Sequence, residues 1–249
     1  MANPLHQFEV RPIIPIHIGD VDASYTNSAL FMTIAVTLIT VFLLFSVKGR
    51  SLVPGRMQSV AELAYEFIAN MIRTNVGSAG QAYFPFIFSL FYFILLGNML
   101  GMMPYGYTFT AQLVVTLGMA LVVFIGTTII GFIKHGVRFF GLFLPHGTPW
   151  YIAPILVPIE IVSYCFRPVS LSLRLFANMT AGHTLLKVFA GFIGGFVASL
   201  GFLLGLVAGL IPLVAVVGLT GLEFLVAFLQ AYVYTVLACI YLNDALHLH

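Results

Sequence analysis

Long apolar runs alternate with short polar segments along the chain, and the lengths of these runs predict helices that cross a membrane. Residues 28–47 contain no Asp, Glu, Lys or Arg, and the same is true of residues 74–133. The second stretch is long enough for two spans joined by a tight return at MPYGYT, residues 103–108. Because a helix needs about 20 apolar residues to cross the hydrocarbon, we expect spans near 28–47, 83–103 and 110–133.

The segment 57–76 differs from these runs because its apolar residues recur at helical spacing. Glu62, Glu66 and Arg73 fall on the opposite face. Ser59 and Glu62 have the spacing of a capping box. The pattern therefore predicts an amphipathic helix that lies on the membrane surface.

Two longer apolar arms, near 149–190 and 203–246, make up the rest of the chain. A helix of about 40 residues is about 60 Å long, whereas the hydrocarbon is only about 30 Å thick. Each arm must therefore be strongly tilted, broken, or both. The candidate break points are the prolines inside the arms: Pro154, Pro158, Pro168 and Pro212.

These patterns together predict an all-α membrane protein with about five membrane-embedded helices and one interfacial helix. The last two spans would form a long tilted hairpin. Residues 1–27 read as an extracytoplasmic tail without a signal peptide, and residues 28–249 as a single polytopic membrane domain.

Composition supports this class. Hydrophobic residues make up 61% of the 249 residues and charged residues only 7%, whereas soluble domains carry about 25% charged residues. Cys165 and Cys239 lie in apolar stretches, which indicates buried small side chains rather than a disulfide or metal framework. No HExxH or comparable ligand spacing and no P-loop is present, so we expect neither a metal nor a nucleotide site.

The basic residues orient the predicted spans. Cytoplasmic loops are enriched in Lys and Arg. If the first span runs inward, six basic residues share one side: Lys48, Arg50, Arg56, Arg73, Lys134 and Arg138. Only Arg11 falls on the other side. The N-terminus is therefore expected outside and, after five crossings, the C-terminus in the cytoplasm.

Ionisable residues inside the two arms need an explanation, because a charge at the bilayer centre costs at least about 2.5–3.5 kcal/mol. The first arm carries Glu160, Arg167, Arg174, His183 and Lys187, and the second carries Glu223, with Asp244 near its end.

Two polar stripes follow from the spacing of these side chains. Glu160, Arg167 and Arg174 are seven residues apart, so they fall near one helix face if Pro168 permits. Ser163 and Ser170 share that face, Asn178 follows Arg174 by four, and Glu223, Gln230, Tyr234 and Tyr241 share a face of the second arm. The stripes would line aqueous cavities or form ion pairs within a helical bundle.

Simpler roles stay open for several of these groups. Long basic side chains such as Arg167 and Lys187 can reach the membrane surface, and Asp244 reads as a terminal charge. His183 and Glu223 would form a buried pair or a proton relay.

Two segments carry a family resemblance. PVSLSLRLFANMTAGH, residues 168–183, and EFLVAFLQAYVYTVLACIYL, residues 223–242, closely resemble subunit a of the membrane sector of F-type ATP synthase. Four further motifs fit the same family: NPLHQFEV near the start, NMLGMMPY at 98–105, TAQL at 110–113 and LPHGTP at 144–149. The resemblance covers essentially the whole chain.

The resemblance implies a stator subunit that conducts protons and has no active site or cofactor of its own. Two offset half-channels would reach a rotating ring of c subunits, each with one carboxylate in mid-membrane. Arg174 would face the ring, pair with each deprotonated carboxylate in turn, and block direct proton passage between the half-channels.

Other site residues are carried over in the same way. His183 and Glu223 match the outer half-channel, with Asn178 and Gln230 near the arginine. Glu160 and Ser170 match the inner side, and Tyr241 matches a family position of undefined role. Many bacterial relatives have the acid where this chain has His183 and the histidine where it has Glu223, so the pair is exchanged here, as in mitochondrial members.

The implied partners are the c-ring, peripheral-stalk b-type subunits, indirectly the F1 ATPase head, and the lipid bilayer, with no nucleic acid. The implied location is a bacterial inner membrane rather than a mitochondrial one. Two alternatives compete. One is a self-contained secondary transporter, although no internal repeat is evident, and the other is an intramembrane enzyme.

Overall fold

Helices dominate the computed structural model, which describes residues 8–18, 21–22, 24–48, 51, 54–103, 106–143 and 151–247. The α-helices of this described part are α1 Asn27–Val47, α2 Arg56–Asn75, α3 Phe84–Gly101, α4 Leu113–His135, α5 Ala153–Leu200 and α6 Phe202–Leu246. Short 3₁₀ helices cover Ser78–Tyr83, Phe109–Ala111 and Gly136–Phe143. In the described residues, five helical segments are long and apolar enough to cross a membrane. The predicted all-α membrane class is confirmed.

Some predicted features lie outside the described residues. They are Arg50, the LPHGTP motif at 144–149, the first residues of NPLHQFEV, and positions 104–105 of the predicted return. The division into a tail at 1–27 and one membrane domain at 28–249 stays a prediction.

The segment before α1 forms two short antiparallel pairings. β1 (Pro12–Ile14) pairs with β4 (Tyr25–Thr26), and β2 (His17–Ile18) pairs with β3 (Val21–Asp22). Asn27, the first residue of α1, donates its backbone N–H to Arg11 O and its side-chain Nδ2–H to Glu9 O, each at 3.1 Å. Its Oδ1 accepts the backbone N–H of Arg11 at 3.1 Å. These bonds attach residues 9–11 to the start of α1.

Prolines do not break the two long helices, contrary to one of the predicted alternatives. α5 continues through Pro158 and Pro168 over 48 residues, and α6 continues through Pro212 over 45 residues. Pro154 lies in the first turn of α5, where no helical partner for its nitrogen is needed. Within apolar helices, neighbouring groups can satisfy the carbonyl that a proline leaves free. At 1.5 Å per residue α5 is about 72 Å long, so tilt remains as the way to fit a bilayer.

The predicted capping box on the amphipathic helix is wrong. α2 begins at Arg56 with Gly55 as its N-cap, and no side chain caps it. Ser59 is already inside the helix, where its hydroxyl donates to Gly55 O at 3.1 Å. The amphipathic pattern itself holds, because Ile68, Met71 and Ile72 are buried while Glu62 is exposed. Its place on the membrane surface stays a prediction.

The chain divides into two compact units. The first unit comprises the described residues of Met1–Val36, Ile94–Gln112 and Leu175–Gln230. Its core contains Ala111, Met179 and Ala227, with Phe8, Met99 and Val226 packed against them. Side chains from the N-terminal segment, α3, the turn before α4, α5 and α6 therefore meet in this unit.

The second unit comprises the described residues of Thr37–Phe93, Leu113–Arg174 and Ala231–His249. The ring of Phe67 on α2 packs against Phe91 of α3 at 5.5 Å and Tyr232 of α6 at 6.0 Å between centroids. Thr128 of α4 and Tyr164 of α5 share a hydrogen bond of 2.7 Å. Aromatic contacts and this bond fix α2 through α6 within the unit.

Candidate functional site

A histidine–carboxylate pair joins α5 and α6 in the first unit. His183 Nδ1 lies 3.5 Å from Glu223 Oε1, and their side chains are only 12% and 5% exposed. The proximity suggested by the exchanged pair is therefore present. Both groups can change protonation state by moving one proton, which makes the pair suited to proton relay.

A glycine makes room for the carboxylate of this pair. A Cβ placed on Gly182 would lie 2.6 Å from Glu223 Oε1 and 3.0 Å from its carboxyl carbon. Neither carboxylate oxygen has a hydrogen-bond partner in the described part of the chain. Because a buried charged carboxylate without hydrogen bonds is costly, binding a proton or a water molecule would lower that cost.

A cavity of about 770 Å³ in the first unit reaches the histidine of the pair. Glu9, Arg11, His183 and Lys187 supply its ionisable side chains. Its other lining residues are Asn27, Phe31, Gly101, Met102, Met103, Gly106, Tyr107, Leu186 and Thr220. A space of this size and polarity can hold many waters, so it can connect solvent with His183.

The second nitrogen of the histidine is also engaged. Thr108 Oγ1 and His183 Nε2 are 3.0 Å apart, within hydrogen-bond distance. The ring of Phe8 packs edge-on against the imidazole with 6.4 Å between centroids. The imidazole is thus contacted by Thr108, Glu223 and Phe8.

An amide pair lies on the same two helices in the first unit. Asn178 Nδ2 donates to Gln230 Oε1 at 2.7 Å. Gln230 is 5% exposed, and in the described residues its Nε2 has no hydrogen-bond partner. The two amides predicted to work together are therefore in contact.

A third amide, Asn98 of α3, is a residue that the sequence reasoning did not select. It is fully buried, donates to Ala227 O at 3.1 Å and accepts the hydroxyl hydrogen of Thr110 at 2.7 Å. The available signal was one amide inside a strongly apolar span, within the quoted motif NMLGMMPY. Thr108 and Gly182 were missed as well. The hydropathy pattern shows neither the contact of a turn residue with a helix nor the need for a glycine where a side chain approaches the backbone.

Arg174 is exposed on the second unit, whereas Leu171 and Ser172 on neighbouring α5 positions are each 1% exposed. Its guanidinium makes neither a hydrogen bond nor an ion pair with the described residues of that unit. Tyr241 lies close enough for the charges of Arg167 and Arg174 to act on its hydroxyl. Among the described residues, the acidic side chains of the second unit therefore leave this guanidinium without an ion pair.

Arg167, by contrast, has a partner, and the reading of Asp244 as a mere terminal charge is wrong. Arg167 Nη1 donates to Asp244 Oδ2 at 2.8 Å, with side chains 28% and 23% exposed. The guanidinium carbon lies 5.2 Å and 5.1 Å from the ring centroids of Tyr164 and Tyr241. An opposite charge from the last turns of α6 holds Arg167, since folding brings those residues to α5.

The remaining predicted residues are less enclosed. Glu160 is half-buried and Ser170 is exposed, both on α5 in the second unit, and Tyr241 of α6 is half-buried there. The structure brings Tyr241 to Arg167, and in the described residues it brings no ion-pair partner to Glu160. In the described part of the chain, no group of three or more His, Cys, Asp or Glu side chains is arranged to hold a metal.

Fold and site define a polytopic membrane protein whose two longest helices carry a buried His–Glu pair and an exposed arginine. The family model described as ATP synthase A chain matches residues 29–243. ATP synthase subunit a of Paramagnetospirillum magneticum is 55% identical over 252 residues, and that of Rhodospirillum rubrum 52% identical over 249 residues, each covering both chains completely. Subunit a of Agrobacterium fabrum is 56% identical over 251 residues, 99% of each chain. The chain belongs to the ATP synthase subunit a family, as its sequence motifs predicted.

Proposed function

We propose that this chain is the proton-conducting stator subunit a of an F-type ATP synthase membrane sector. It is a component of the complex and not an enzyme by itself. The observation that carries the proposal is Arg174, an exposed guanidinium on an apolar helix without a partner in the described residues of its own unit. The self-contained transporter is not favoured, since the relatives are all named as one subunit of a larger complex.

The exposed apolar surroundings of Arg174 favour a partner from another chain. Ile159, Phe166 and Leu173, each one residue before a charged position of the stripe, are 58%, 59% and 45% exposed. This apolar surface would face lipid or neighbouring helices. A guanidinium there costs at least about 2.5–3.5 kcal/mol in hydrocarbon, and a carboxylate opposite it would offset that cost. The mid-membrane carboxylate of a rotating c subunit has this chemistry.

The ion pair between Arg167 and Asp244 supports the assignment of the free charge to Arg174. Asp244 neutralises Arg167 at 2.8 Å, so one of the two arginines of the stripe is already paired. Arg174 is left to favour proton loss from each ring carboxyl group and to pair with the carboxylate that results. The same fixed charge repels a proton that would pass directly between the half-channels.

The outer half-channel would use the cavity, His183 and Glu223. The cavity of about 770 Å³ gives water access to His183, and Glu223 lies 3.5 Å beyond it. A proton moves from cavity water to His183, then to Glu223, and onward past Asn178 and Gln230 to the ring. We place His183 before Glu223 because the cavity lining includes His183.

The inner half-channel would use Glu160 and Ser170, with Tyr241 near the arginines. Glu160 and Ser170 are accessible on α5, so water from the cytoplasmic side can reach them once the ring covers this face. A proton released at Arg174 would leave along these groups. Tyr241 would hold its place through Arg167, whose guanidinium carbon is 5.1 Å from its ring centroid.

Orientation and assembly follow the charge distribution. With Lys48, Arg56, Arg73 and Lys134 in the cytoplasm, the N-terminal segment and the cavity face the periplasm and the C-terminus faces the cytoplasm. The partners are the c-ring, b-type stalk subunits and, through them, the F1 head in a bacterial inner membrane. Neither a cofactor nor nucleic acid takes part.

The test replaces Arg174 in the assembled complex. Losing one partner of a desolvated charge pair costs about 3–5 kcal/mol, which corresponds to a loss of roughly two to four orders of magnitude in rate. Arg174→Ala should abolish proton-driven ATP synthesis in membrane vesicles and make them leak protons. Arg174→Lys should also be severely impaired because an ammonium lacks the planar fork of the guanidinium.

Arg73→Ala is the matched control, since this arginine is exposed at the end of α2. It should leave synthesis near the wild-type rate. Co-purification of the c-ring and F1 head reports assembly in every variant. Robust synthesis by an assembled Arg174→Ala complex would refute the assigned role.

A further inference from the structure

We infer that Thr108 is a positioning residue for proton relay, because its hydroxyl fixes the His183 imidazole with Nδ1 toward Glu223. The inference deepens the proposed function and rests on it. It adds a hydroxyl from the turn before α4 to the two ionisable groups of α5 and α6.

The geometry gives each imidazole nitrogen one partner. Thr108 Oγ1 lies 3.0 Å from Nε2, and Glu223 Oε1 lies 3.5 Å from Nδ1. Thr108 is 6% exposed, so water competes little for its hydroxyl. Rotating the imidazole away from Glu223 would break the bond to Thr108, since both contacts involve the same rigid ring.

Thr108 does not serve as a side-chain cap for the short helix that follows it. Thr108 is the N-cap of the 3₁₀ helix Phe109–Ala111, but its side chain makes no capping hydrogen bond. Threonine at an N-cap usually bonds a backbone N–H of the first turn. The hydroxyl is aimed at His183 instead, which points to a role outside local backbone structure.

A close approach of backbone and side chain holds Thr108 in place. A Cβ on Gly101 would collide with the Oγ1 of Thr108 and would lie 2.6 Å from its Cβ. Only glycine at this position of α3 lets Thr108 lie against the helix. Gly101 thereby allows the Thr108 hydroxyl to lie within hydrogen-bond distance of the imidazole.

A hydroxyl suits this role because it both donates and accepts hydrogen bonds. It can accept from Nε2–H when that nitrogen is protonated and donate to Nε2 when it is not. The ring therefore keeps its orientation while the other nitrogen, Nδ1, gains a proton and passes it to Glu223. In histidine sites generally, the bond made by one ring nitrogen decides the protonation of the other.

The charged groups around the imidazole come from three elements. Glu223 faces it from α6, and Lys187 of α5 acts on it electrostatically. Glu9 and Arg11 of the N-terminal segment line the same cavity. Thr108 and Phe8 contribute no charge, so removing the hydroxyl alone changes orientation without changing this set of charges.

The experiment compares Thr108→Val, Thr108→Ser and Thr235→Val in the assembled complex. Valine keeps the shape and loses the hydroxyl, and serine keeps the hydroxyl. Thr235 is also buried, but its hydroxyl donates to Ala231 O of its own helix at 2.9 Å, so it is the matched control. Proton-driven ATP synthesis in vesicles is measured against the pH of the proton-uptake side.

Thr108→Val should lower the rate about three- to tenfold, the equivalent of one hydrogen bond, and should shift the pH profile. Thr108→Ser should restore rate and profile, and Thr235→Val should match wild type. Co-purification of the c-ring establishes that each variant assembles. Wild-type rate and profile in Thr108→Val, or equal defects in the valine and serine variants, would overturn the inference.

His183→Ala separates this inference from the proposed function. If His183→Ala is strongly impaired while Thr108→Val is normal, only the positioning role fails. If His183→Ala conducts protons at the wild-type rate, the outer half-channel assigned to His183 fails, and the role of Thr108 fails with it.

Discussion

The ion pair between Arg167 and Asp244 should stabilise the assembled protein, and its removal can be worked through from the geometry. The pair is 2.8 Å long with side chains 28% and 23% exposed. Exposed pairs contribute about 0–1 kcal/mol, while breaking a fully buried pair costs about 3–5 kcal/mol. Because this pair is mostly but not fully enclosed, we expect Asp244→Asn to cost about 1–3 kcal/mol.

Arg167→Gln should cost about 1–2 kcal/mol more than Asp244→Asn, because two further contacts are lost with the guanidinium. It removes the ion pair and two cation–π contacts with Tyr164 and Tyr241, at 5.2 Å and 5.1 Å, each contributing about 0.5–1 kcal/mol. It leaves Asp244 as an uncompensated charge. The double variant leaves no unpaired charge, so its loss should be smaller than the sum of the two single losses by about 1–2 kcal/mol.

The assay is the rate at which this chain dissociates from the detergent-purified complex on heating. A difference of 1.4 kcal/mol corresponds to a tenfold change, so Asp244→Asn should dissociate roughly 5- to 100-fold faster, and Arg167→Gln faster still. The double variant should dissociate about 5- to 30-fold more slowly than the product of the two single effects predicts. Strictly additive effects would refute the reasoning, because they would mean that the two side chains do not interact.

Two further predictions concern the pair between α5 and α6. His183→Glu combined with Glu223→His should recover more proton-driven ATP synthesis than either single change, because the 3.5 Å pair is restored with its members exchanged; equal or additive losses in the double-mutant cycle would contradict this. Gly182→Ala should impair synthesis about tenfold or more, since its methyl group would lie 2.6 Å from Glu223 Oε1 and displace the carboxylate. Gly118→Ala, where a methyl group meets nothing within 4 Å, is its control, and equal activity of the two variants would disprove the steric argument.

Local pattern predicted the helices well because membrane helices satisfy their own backbone hydrogen bonds. The run at 28–47 needs no distant contact to form a helix, and α1 covers Asn27–Val47. The same reasoning overestimated the tendency of proline to break the long helices, because Pro158 and Pro168 both lie within α5. It also predicted the wrong cap for α2, because Gly55 is the N-cap and Ser59 lies inside the helix.

Motifs selected the ionisable residues of the site, but not their partners. The resemblance picked out His183 and Glu223, and the structure added that Thr108 occupies the other imidazole nitrogen. Asp244 looked like a terminal charge until folding brought it to Arg167, 77 residues away in sequence. The pattern of residues along the sequence does not predict contacts over such separations.

The sequence by itself determined the membrane class, the positions of the apolar helices and the set of charged residues they carry, because these depend on composition and periods of a few residues. Only the tertiary structure decided which charges are paired and which, like Arg174, stay exposed. It also decided that Gly101 and Gly182 leave space for Thr108 and Glu223. The physical reason is that ion pairs and steric fit depend on distances between side chains far apart in the chain, which only packing of the helices sets.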